Sequence, residues 1–193
     1  MGNLPLYIGI TLAILSGFFE PIIRYGKEAK SLKTDSYDKN STKFLGFLSL
    51  INILLLFSGI WMNNNHYMVM FANYPIAYLG IVVMICGSFI RIISIRTLKN
   101  YYTRTLRIQP NQMIIESGFY KSIRHPGYLG SIVRWSGVAF ASNNYIILLS
   151  IIVLTILIYY YRIGTEEKML MVSFGDNYKE YMQKTYRLIP EIY

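Results

Sequence analysis

The sequence has little charge, almost no cysteine and no cluster of metal-binding residues. Only 15% of its 193 residues are charged and 53% are apolar, a balance that excludes a typical soluble domain. The single cysteine, Cys86, excludes an intrachain disulfide. The two histidines, His66 and His125, are too isolated in the sequence to indicate a zinc site, so we expect no metal.

Other missing motifs exclude further classes of protein. The net charge is +9, but no aromatic and basic RNA-binding motif accompanies it, so we assign the basic residues to anionic lipid headgroups and expect no nucleic-acid partner. No GxGxxG motif follows a predicted strand, which argues against a Rossmann-type enzyme. The first apolar stretch lacks the flanks of a removable signal peptide. No repeat or compositional break divides the chain, so we expect one integral membrane domain over residues 1–193.

Long apolar runs dominate what is present. A helix needs about 20 residues to cross a bilayer, and three stretches are long enough: Leu4 to Ile23, Phe44 to Met62 and Tyr74 to Ile95. A fourth region, Tyr128 to Arg162, is interrupted at Ser142 to Asn144 and predicts two helices that form a hairpin. The sequence therefore predicts an all-α, polytopic membrane protein with five transmembrane helices.

The basic residues set the predicted orientation. They fall in the first loop, the third loop and the tail, whereas the loops Asn63 to Asn73 and Ser142 to Asn144 carry none. Because positive charge concentrates on the cytoplasmic side, we predict a multi-pass protein with its amino terminus outside and its carboxyl terminus cytoplasmic. The basic residues of the three cytoplasmic segments are Arg24, Lys27, Lys30, Lys33, Lys39 and Lys43; Arg96, Lys99, Arg104, Arg107, Lys121 and Arg124; and Arg162, Lys168, Lys179, Lys184 and Arg187.

The segment GFYKSIRHPGYLG places polar residues where a loop enters a membrane helix. Pro126, directly after His125, suits the first position of that helix, because no amide donor is lost there and the ring presets the backbone angle. The free amides and positive dipole end of a helix start favour a carboxylate or a phosphate. His125 taken alone is more often a capping or structural residue, so its role depends on its surroundings.

The tail supplies a second polar cluster on the predicted cytoplasmic face. Tyr159 and Tyr160 match the interfacial belt in which amphipathic rings commonly sit. Arg162 and Glu166, four residues apart, fit an exposed helical ion pair, but both emerge at the membrane boundary beside the RHPGY segment, whose geometry can receive an anion. We expect a separate amphipathic helix to follow, with an apolar side formed by Met169, Leu170 and Phe174.

Three charged residues lie inside predicted spans, where charge is costly and tends to face protein or water: Glu20, Arg91 and Arg134. Either a partnership of Glu20 with Arg134 or snorkelling of the two arginines would relieve that cost. Small residues of the fourth helix predict its close packing against a neighbour. They are Gly127, Gly130, Ser131, Ser136 and Gly137.

The carboxyl-terminal half, about Leu98 to Pro190, resembles the isoprenylcysteine carboxyl methyltransferase family. SGFY is followed by RHPGY, an apolar hairpin, RIGTEE, FGDNYKEY and RLIP in the order typical of that family. The resemblance implies an S-adenosylmethionine-dependent methyltransferase whose active site is formed by the last helices, the cytoplasmic loop and a carboxyl-terminal helix. It also implies a lipid-linked or prenylated substrate whose carboxylate accepts the methyl group.

The resemblance also implies roles for particular residues. Glu166 matches an acidic cofactor ligand and Arg162 matches the substrate-side arginine, and both are expected to be catalytic. Arg107 occupies a position that can be a polar cofactor contact. Further matches to cofactor-contact positions are Gln112, Met113, Ile114, Ile115, Tyr120, His125, Pro126, Gly127 and Tyr128. The chain departs from the pattern at Lys99, Tyr102 and Thr103, where relatives often have Gly and then a Trp and Ser pair.

Three alternatives stay open on the sequence. A related methyltransferase could act on another lipid acceptor, a phospholipid amine or a phenolic lipid, and an amine would need a base to deprotonate it. Some membrane sterol reductases share an RHxxY element and bind NADPH, although they are longer than this chain. A non-enzymatic membrane scaffold would use the RHPGY and RxxxE elements for packing alone and would bind no cofactor.

Overall fold

The computed structural model describes residues 3–23, 31, 36–67 and 74–191, and this part of the chain is helical, without an extended strand. Short 3-10 segments at Ser36–Asp38, Tyr74–Ala77, Lys99–Tyr101 and Gly118–Lys121 connect the longer helices. The α-helices of the described residues are α1 (Leu4–Ile23), α2 (Ser41–Asn64), α3 (Tyr78–Leu98), α4 (Pro126–Ala141), α5 (Tyr145–Phe174) and α6 (Asp176–Lys184).

Four of these helices are long and apolar enough to cross a membrane: α1, α2, α3 and α5. Helix α4 has 16 residues, fewer than the roughly 20 that a full crossing needs. Large apolar side chains such as Phe18 and Phe89 point outward, where lipid would cover them. The all-α polytopic fold is therefore confirmed, whereas five complete crossings stay a prediction.

The predicted break between the last two long helices is present. Asn143 has a positive φ of 54°, a backbone conformation that asparagine tolerates better than most residues. The side chain of Asn144 then caps α5 by accepting hydrogen bonds from the amides of Ile146 and Ile147. Local side-chain chemistry thus ends α4 and starts α5 within a few residues.

Helix α5 continues further than the sequence predicted. It spans 30 residues, Tyr145–Phe174, or about 45 Å, and ends at Gly175, whose φ is 54°. The expectation of a separate amphipathic helix after Arg162 is therefore wrong. Composition changes from apolar to polar near Arg162, but the helix continues through Gly164 without a break, so the polar residues extend the same helix.

Helices α3 and α4 touch along their backbones through glycine. A Cβ atom on Gly87 would lie 2.4 Å from the amide nitrogen of Arg134, and one on Gly130 would lie 2.6 Å from that of Arg91. A second contact of the same kind joins Gly80 and Gly137. The predicted close packing of α4 is confirmed at Gly130 and Gly137, and its partner is α3.

The apolar core occupies one end of the bundle. It joins side chains of α1 to α5 on the side where α4 turns into α5. Its fully buried members include Leu6, Leu56, Val138, Ile147 and Ile151. The opposite end, where α4 begins and α5 carries Arg162, is polar and holds the cavity described below.

Part of the charge pattern lies outside the described residues. Arg24, Lys27, Lys30 and Lys33 of the predicted first cytoplasmic loop belong to it. The orientation of the two termini in the membrane therefore stays a prediction. Multi-pass insertion follows from the four long apolar helices.

Candidate active site

A cavity of about 440 Å³ opens between the helices at the polar end of the bundle. Its walls come from α1 to α6 and from the segment between α3 and α4. A volume of several hundred cubic ångströms suits a small-molecule cofactor or substrate. Every predicted site residue except Pro126 lines it: Arg107, Gln112, Met113, Ile114, Ile115, Tyr120, His125, Gly127, Tyr128, Arg162 and Glu166.

The start of α4 is built as the sequence predicted. Pro126 is the first helical residue and is buried, while His125 stands at the cap position and makes no side-chain capping bond. The carbonyl of His125 accepts hydrogen bonds from the amides of Tyr128 and Leu129. Pro126 therefore shapes the wall of the cavity through the backbone rather than by lining it.

The tail of the chain holds the loop that precedes α4. Ile123 and Tyr186 form a parallel β-bridge, and the amide of His125 donates to the carbonyl of Arg187 at 3.1 Å. The side chain of Arg187 then donates from Nε to Glu167 Oε2 at 2.8 Å. The RLIP tail thus ties the RHPGY loop to α5.

Tyr128 lies at the centre of the polar cluster. Its hydroxyl donates to Glu166 Oε2 and accepts from Arg162 Nε at 3.1 Å. Its ring stacks on His125, with centroids 5.5 Å apart and planes 9° apart, and lies 5.3 Å from the ring of Tyr159. Arg162 and Glu166 are therefore joined through Tyr128, and the reading of these two residues as an exposed helical ion pair is wrong.

Arg162 is 2% exposed and is held on several sides. Its Nη1 donates to Asp38 Oδ1 at 2.9 Å and to the hydroxyl oxygens of Ser41 and Thr42 at 2.6 and 3.0 Å. Its Nη2 donates to the carbonyl of Arg104 at 3.0 Å. The arginine therefore links α5 to the start of α2 and to the segment after α3.

Asp38 is the buried carboxylate of this arrangement. It accepts hydrogen bonds from the Thr42 hydroxyl at 2.6 Å and from the amide of Leu106 at 3.1 Å, in addition to the bond from Arg162. Burial alone would raise the pKa of Asp38, but these hydrogen bonds and the nearby guanidinium together lower its pKa below the ordinary value. Asp38 is therefore ionised at neutral pH and neutralises Arg162.

Two consecutive carboxylates on α5 have different environments. Glu167 is paired within the protein, with Arg124 Nε at 2.9 Å, Arg187 at 2.8 Å and His125 Nε2 at 3.4 Å. Glu166 keeps 24% of its side chain exposed and faces the cavity, 3.8 Å from His125 Nδ1. Glu166 is therefore the carboxylate placed to meet a cation that enters the cavity.

The segment after α3 forms another wall of the cavity. The amide of Gln109 donates to Gln112 Oε1 at 2.8 Å, which closes a local turn before residues 112–115. The hydroxyl of Tyr101 donates to the carbonyl of Asn111 at 3.1 Å. These bonds hold the predicted cofactor-lining residues of this segment against the cavity.

The structure adds residues to the cavity that the sequence did not assign to the site. Tyr159 is buried and lines the cavity, so its assignment to an interfacial belt is wrong, whereas Tyr160 is exposed as that assignment predicts. Tyr178, from the FGDNYKEY motif, is 2% exposed and lines the cavity, and its hydroxyl has no hydrogen-bond partner among the described residues. A buried polar atom without a partner on a cavity wall is a signal that only the fold could reveal.

The inner end of the cavity contains the three charges that lie inside predicted spans. Arg91 makes a bidentate pair with Glu20, with Nη2 at 2.6 Å from Oε1 and Nε at 3.0 Å from Oε2. Arg134 Nη1 lies 3.9 Å from Glu20 Oε2. Arg91 also donates to the Gly127 carbonyl and to Ser131, so it is held inside the protein rather than snorkelling to the surface.

The part of the chain that forms most of this cavity matches a known protein family. Residues 79–172 match the model of the isoprenylcysteine carboxyl methyltransferase family. They belong to that family. The matched range includes every predicted site residue, from Arg107 to Glu166.

Similar proteins extend the match beyond that segment. A probable protein-S-isoprenylcysteine O-methyltransferase of Oryza sativa subsp. indica is 32% identical over 122 residues, 61% of this chain and 62% of the relative. A protein-S-isoprenylcysteine O-methyltransferase of Schizosaccharomyces pombe is 26% identical over 63% of this chain and 52% of the relative. Methanethiol S-methyltransferase 1 of Bradyrhizobium diazoefficiens is 42% identical over 72 residues, 37% of this chain and 24% of the relative. The chain thus spans about three fifths of the rice relative.

A solved structure shows the same fold. The eukaryotic intramembrane Ras methyltransferase, an isoprenylcysteine carboxyl methyltransferase, superposes with a TM-score of 0.77. The superposition covers 100% of this chain and 68% of that one, at 20% sequence identity. At this identity the likeness concerns the fold alone.

Proposed function

We propose that this chain transfers a methyl group from S-adenosylmethionine to the carboxylate of a lipid-linked, isoprenylcysteine-like acceptor at the membrane. The observation that carries the proposal is the convergence of the predicted site residues on one cavity within the family-matched segment. These residues come from α4, α5 and the segment after α3. Sequence motifs that are far apart in the chain thus supply a single site.

The cavity fits the cofactor by volume and by chemistry. Its volume of about 440 Å³ is in the range of small-molecule sites. Glu166 offers a partly exposed carboxylate to a cation. Burial, with the charges of Glu167 and Glu166, raises the pKa of Tyr178, so its hydroxyl stays protonated and can donate to a polar group. Gln112, Tyr120 and His125 supply further cavity-lining polar groups.

S-adenosylmethionine, when bound, supplies a methyl group on a cationic sulfonium. Glu166 stabilises that positive charge, while Tyr128 and His125 fix the position of the Glu166 carboxylate. An acceptor carboxylate needs no general base, because its ordinary pKa of about 3.5 leaves it ionised at neutral pH. The protein therefore contributes mainly by orienting the acceptor oxygen and by excluding water.

Arg162 stands on the acceptor side of this arrangement. It is neutralised by Asp38 and donates to the Tyr128 hydroxyl, which in turn donates to Glu166. We assign Arg162 to positioning of the acceptor and of Tyr128 through charge-assisted hydrogen bonds. The acceptor tail enters from the bilayer, and the water-soluble cofactor enters from the cytoplasmic side, which is where we place the active site.

A methyl-transfer assay tests the proposal. The purified protein in neutral detergent or liposomes is incubated with S-adenosylmethionine labelled in the methyl group and with a prenylcysteine acceptor. We expect labelled ester with the wild type, loss of at least 99% of that product with Glu166→Ala or Arg162→Ala, and unchanged turnover with Lys168→Ala, whose side chain is exposed beside Glu167.

The names of the relatives give different methyl acceptors. Some are named for an isoprenylcysteine and another for methanethiol. The assay therefore includes thiol, amine and phenol acceptors beside the carboxylate. Labelling of one of these in place of the prenylcysteine would change the acceptor assigned here. If no acceptor is methylated and the protein does not bind the cofactor, the non-enzymatic membrane scaffold would be favoured over the enzyme.

A further inference from the structure

The inner end of the cavity carries more positive than negative charge. Arg91 from α3, Arg134 from α4 and Glu20 from α1 line it together. Two guanidinium groups thus share one carboxylate. Charge placed at membrane depth is costly unless an opposite charge or water meets it.

Glu20 is committed to Arg91. Two nitrogens of Arg91 hold both oxygens of Glu20, at 2.6 and 3.0 Å, which is the geometry of a strong arginine–carboxylate pair. Arg134 approaches the same carboxylate to 3.9 Å and donates one hydrogen bond, at 3.2 Å, to the hydroxyl of Ser16. Both of these contacts use Nη1, and the guanidinium carbon also lies 5.7 Å from the centre of the Trp135 ring. The Nε and Nη2 donors of Arg134 can therefore serve a further acceptor.

The backbone packing explains why the two arginines stand together. The glycine contacts of Gly87 with Arg134 and of Gly130 with Arg91 hold α3 against α4 at the level of both side chains. The backbone positions of the two arginines therefore cannot separate without opening this packing. A bound anion would relieve the repulsion between the two guanidinium groups. It would also accept hydrogen bonds from the remaining donors of Arg134.

We propose that Arg134 is an anion-binding position at the inner end of the cavity, and that it receives a carboxylate or phosphate group of an amphiphile. Arg134 follows Tyr128 by six positions on α4, which places it about 9 Å further along the helix axis. An acceptor whose reacting group lies at Tyr128 would therefore carry a second anionic group at that depth. The assignment of this amphiphile as the methyl acceptor rests on the proposed function; the anion site does not.

Ligand binding without turnover tests the site. The unfolding temperature of the protein in neutral detergent is followed while dodecyl phosphate is added, because a ligand that binds the folded state stabilises it by an amount that rises with the ratio of ligand concentration to Kd. We expect wild-type protein to be stabilised and Arg134→Leu to bind about tenfold more weakly or worse, since a charge-assisted hydrogen bond is lost. Lys179→Leu, which removes an equal charge from the exposed part of α6, should bind as the wild type does.

Two comparison ligands, added in the same assay, identify the class of ligand that the site binds. Dodecanol has the same chain without charge and should stabilise wild type and Arg134→Leu equally and weakly. Inorganic phosphate should give no shift at the concentrations at which dodecyl phosphate saturates; an equal shift would assign the site to a free anion and overturn the amphiphile. Equal stabilisation of wild type and Arg134→Leu by dodecyl phosphate would overturn the anion site itself.

Two controls keep this result separate from the proposed function. S-adenosylhomocysteine should stabilise the wild type and Arg134→Leu to the same extent. Equal stabilisation would show that the variant is folded and that its cofactor region is intact. If the leucine variant does not fold, Arg134→Gln removes the same charge with a polar side chain, and the same loss of dodecyl phosphate binding is expected. Failure of S-adenosylhomocysteine to bind either protein would count against the methyltransferase, while the dodecyl phosphate comparison would still decide the anion site.

Discussion

Asp38 and Arg162, 124 residues apart in the sequence, form a buried ion pair with 2.9 Å between Oδ1 and Nη1. Each side chain is 2% exposed. The pair joins the segment before α2 to the polar part of α5, and Arg162 extends the connection to Tyr128 and then to Glu166. The carboxylate that faces the cavity is thus oriented by a chain of contacts that begins at Asp38.

Replacing Asp38 by asparagine should destabilise the protein and impair catalysis. The change leaves the guanidinium of Arg162 buried without its counter-charge, and breaking a buried pair in this way costs about 3–5 kcal/mol of the free energy of unfolding. We expect a lower unfolding temperature and at least a tenfold lower kcat in Asp38→Asn. Asp176→Asn, an exposed carboxylate paired with Lys179, is the matched control and should change neither quantity. Wild-type stability in Asp38→Asn would show that the pair contributes little.

The same carboxylate predicts a specific dependence of stability on acid. The folded protein lowers the pKa of Asp38, so its stabilising contribution is complete above the unfolded value of about 3.9 and is lost as the pH falls through the lower folded value. We expect Asp38→Asn to lose less stability than the wild type between pH 5 and the acid limit. Unfolding by denaturant across this range, in a non-ionic detergent, measures the difference. Parallel curves for the two proteins would contradict the assigned direction.

Because α3 and α4 touch at Gly87, we predict that adding one methyl group there lowers the stability of the protein. A Cβ atom there would lie 2.4 Å from the Arg134 amide nitrogen, so the helices must move apart, and overpacking of this kind costs about 1–3 kcal/mol. Gly164→Ala is the control, because a Cβ atom there meets nothing within 4 Å and alanine favours a helix. Thermal unfolding should rank Gly87→Ala below the wild type and Gly164→Ala at or above it. The reverse order would exclude backbone contact at Gly87.

The role assigned to Glu166 predicts discrimination between two forms of the cofactor. S-adenosylmethionine carries a sulfonium charge that S-adenosylhomocysteine lacks, so Glu166→Gln should weaken binding of the methylated form by about tenfold more than binding of the product form. Glutamine keeps a hydrogen-bond acceptor for the Tyr128 hydroxyl, which limits disturbance of the site. Calorimetric titration with each compound gives the two affinities. Equal weakening of the two affinities would show that Glu166 does not contact the sulfonium.

The sequence predicted features that depend on local chemistry. The helix start at Pro126 and the break at Asn143 and Asn144 are set by residues next to each other, and both are present. The membrane class followed from the apolar runs, and α4 ends where the sequence predicted, although its 16 residues are fewer than a full crossing needs. The end of α5 was misplaced, because a change from apolar to polar residues at Arg162 marks the membrane boundary but not the end of a helix.

Contacts between distant segments could not be predicted in this way. Asp38 stands in a short segment without a recognisable motif, so its pairing with Arg162 appears only when the helices pack. The choice of Arg91 rather than Arg134 as the bidentate partner of Glu20 depends on where the α3 and α4 glycines bring the backbones together. The candidate cofactor residues were found because family motifs preserve the order of such segments without revealing their contacts.

Amide hydrogen exchange of the detergent-purified protein, with and without S-adenosylhomocysteine, tests whether this cavity binds the cofactor. We predict slower exchange on ligand addition in residues 106–128 and 159–181, which contribute to the cavity walls, and no change in the core of α2 around Leu56. Absence of any ligand-dependent protection, or protection confined to the apolar end of the bundle, would contradict the assignment of this cavity as the cofactor site.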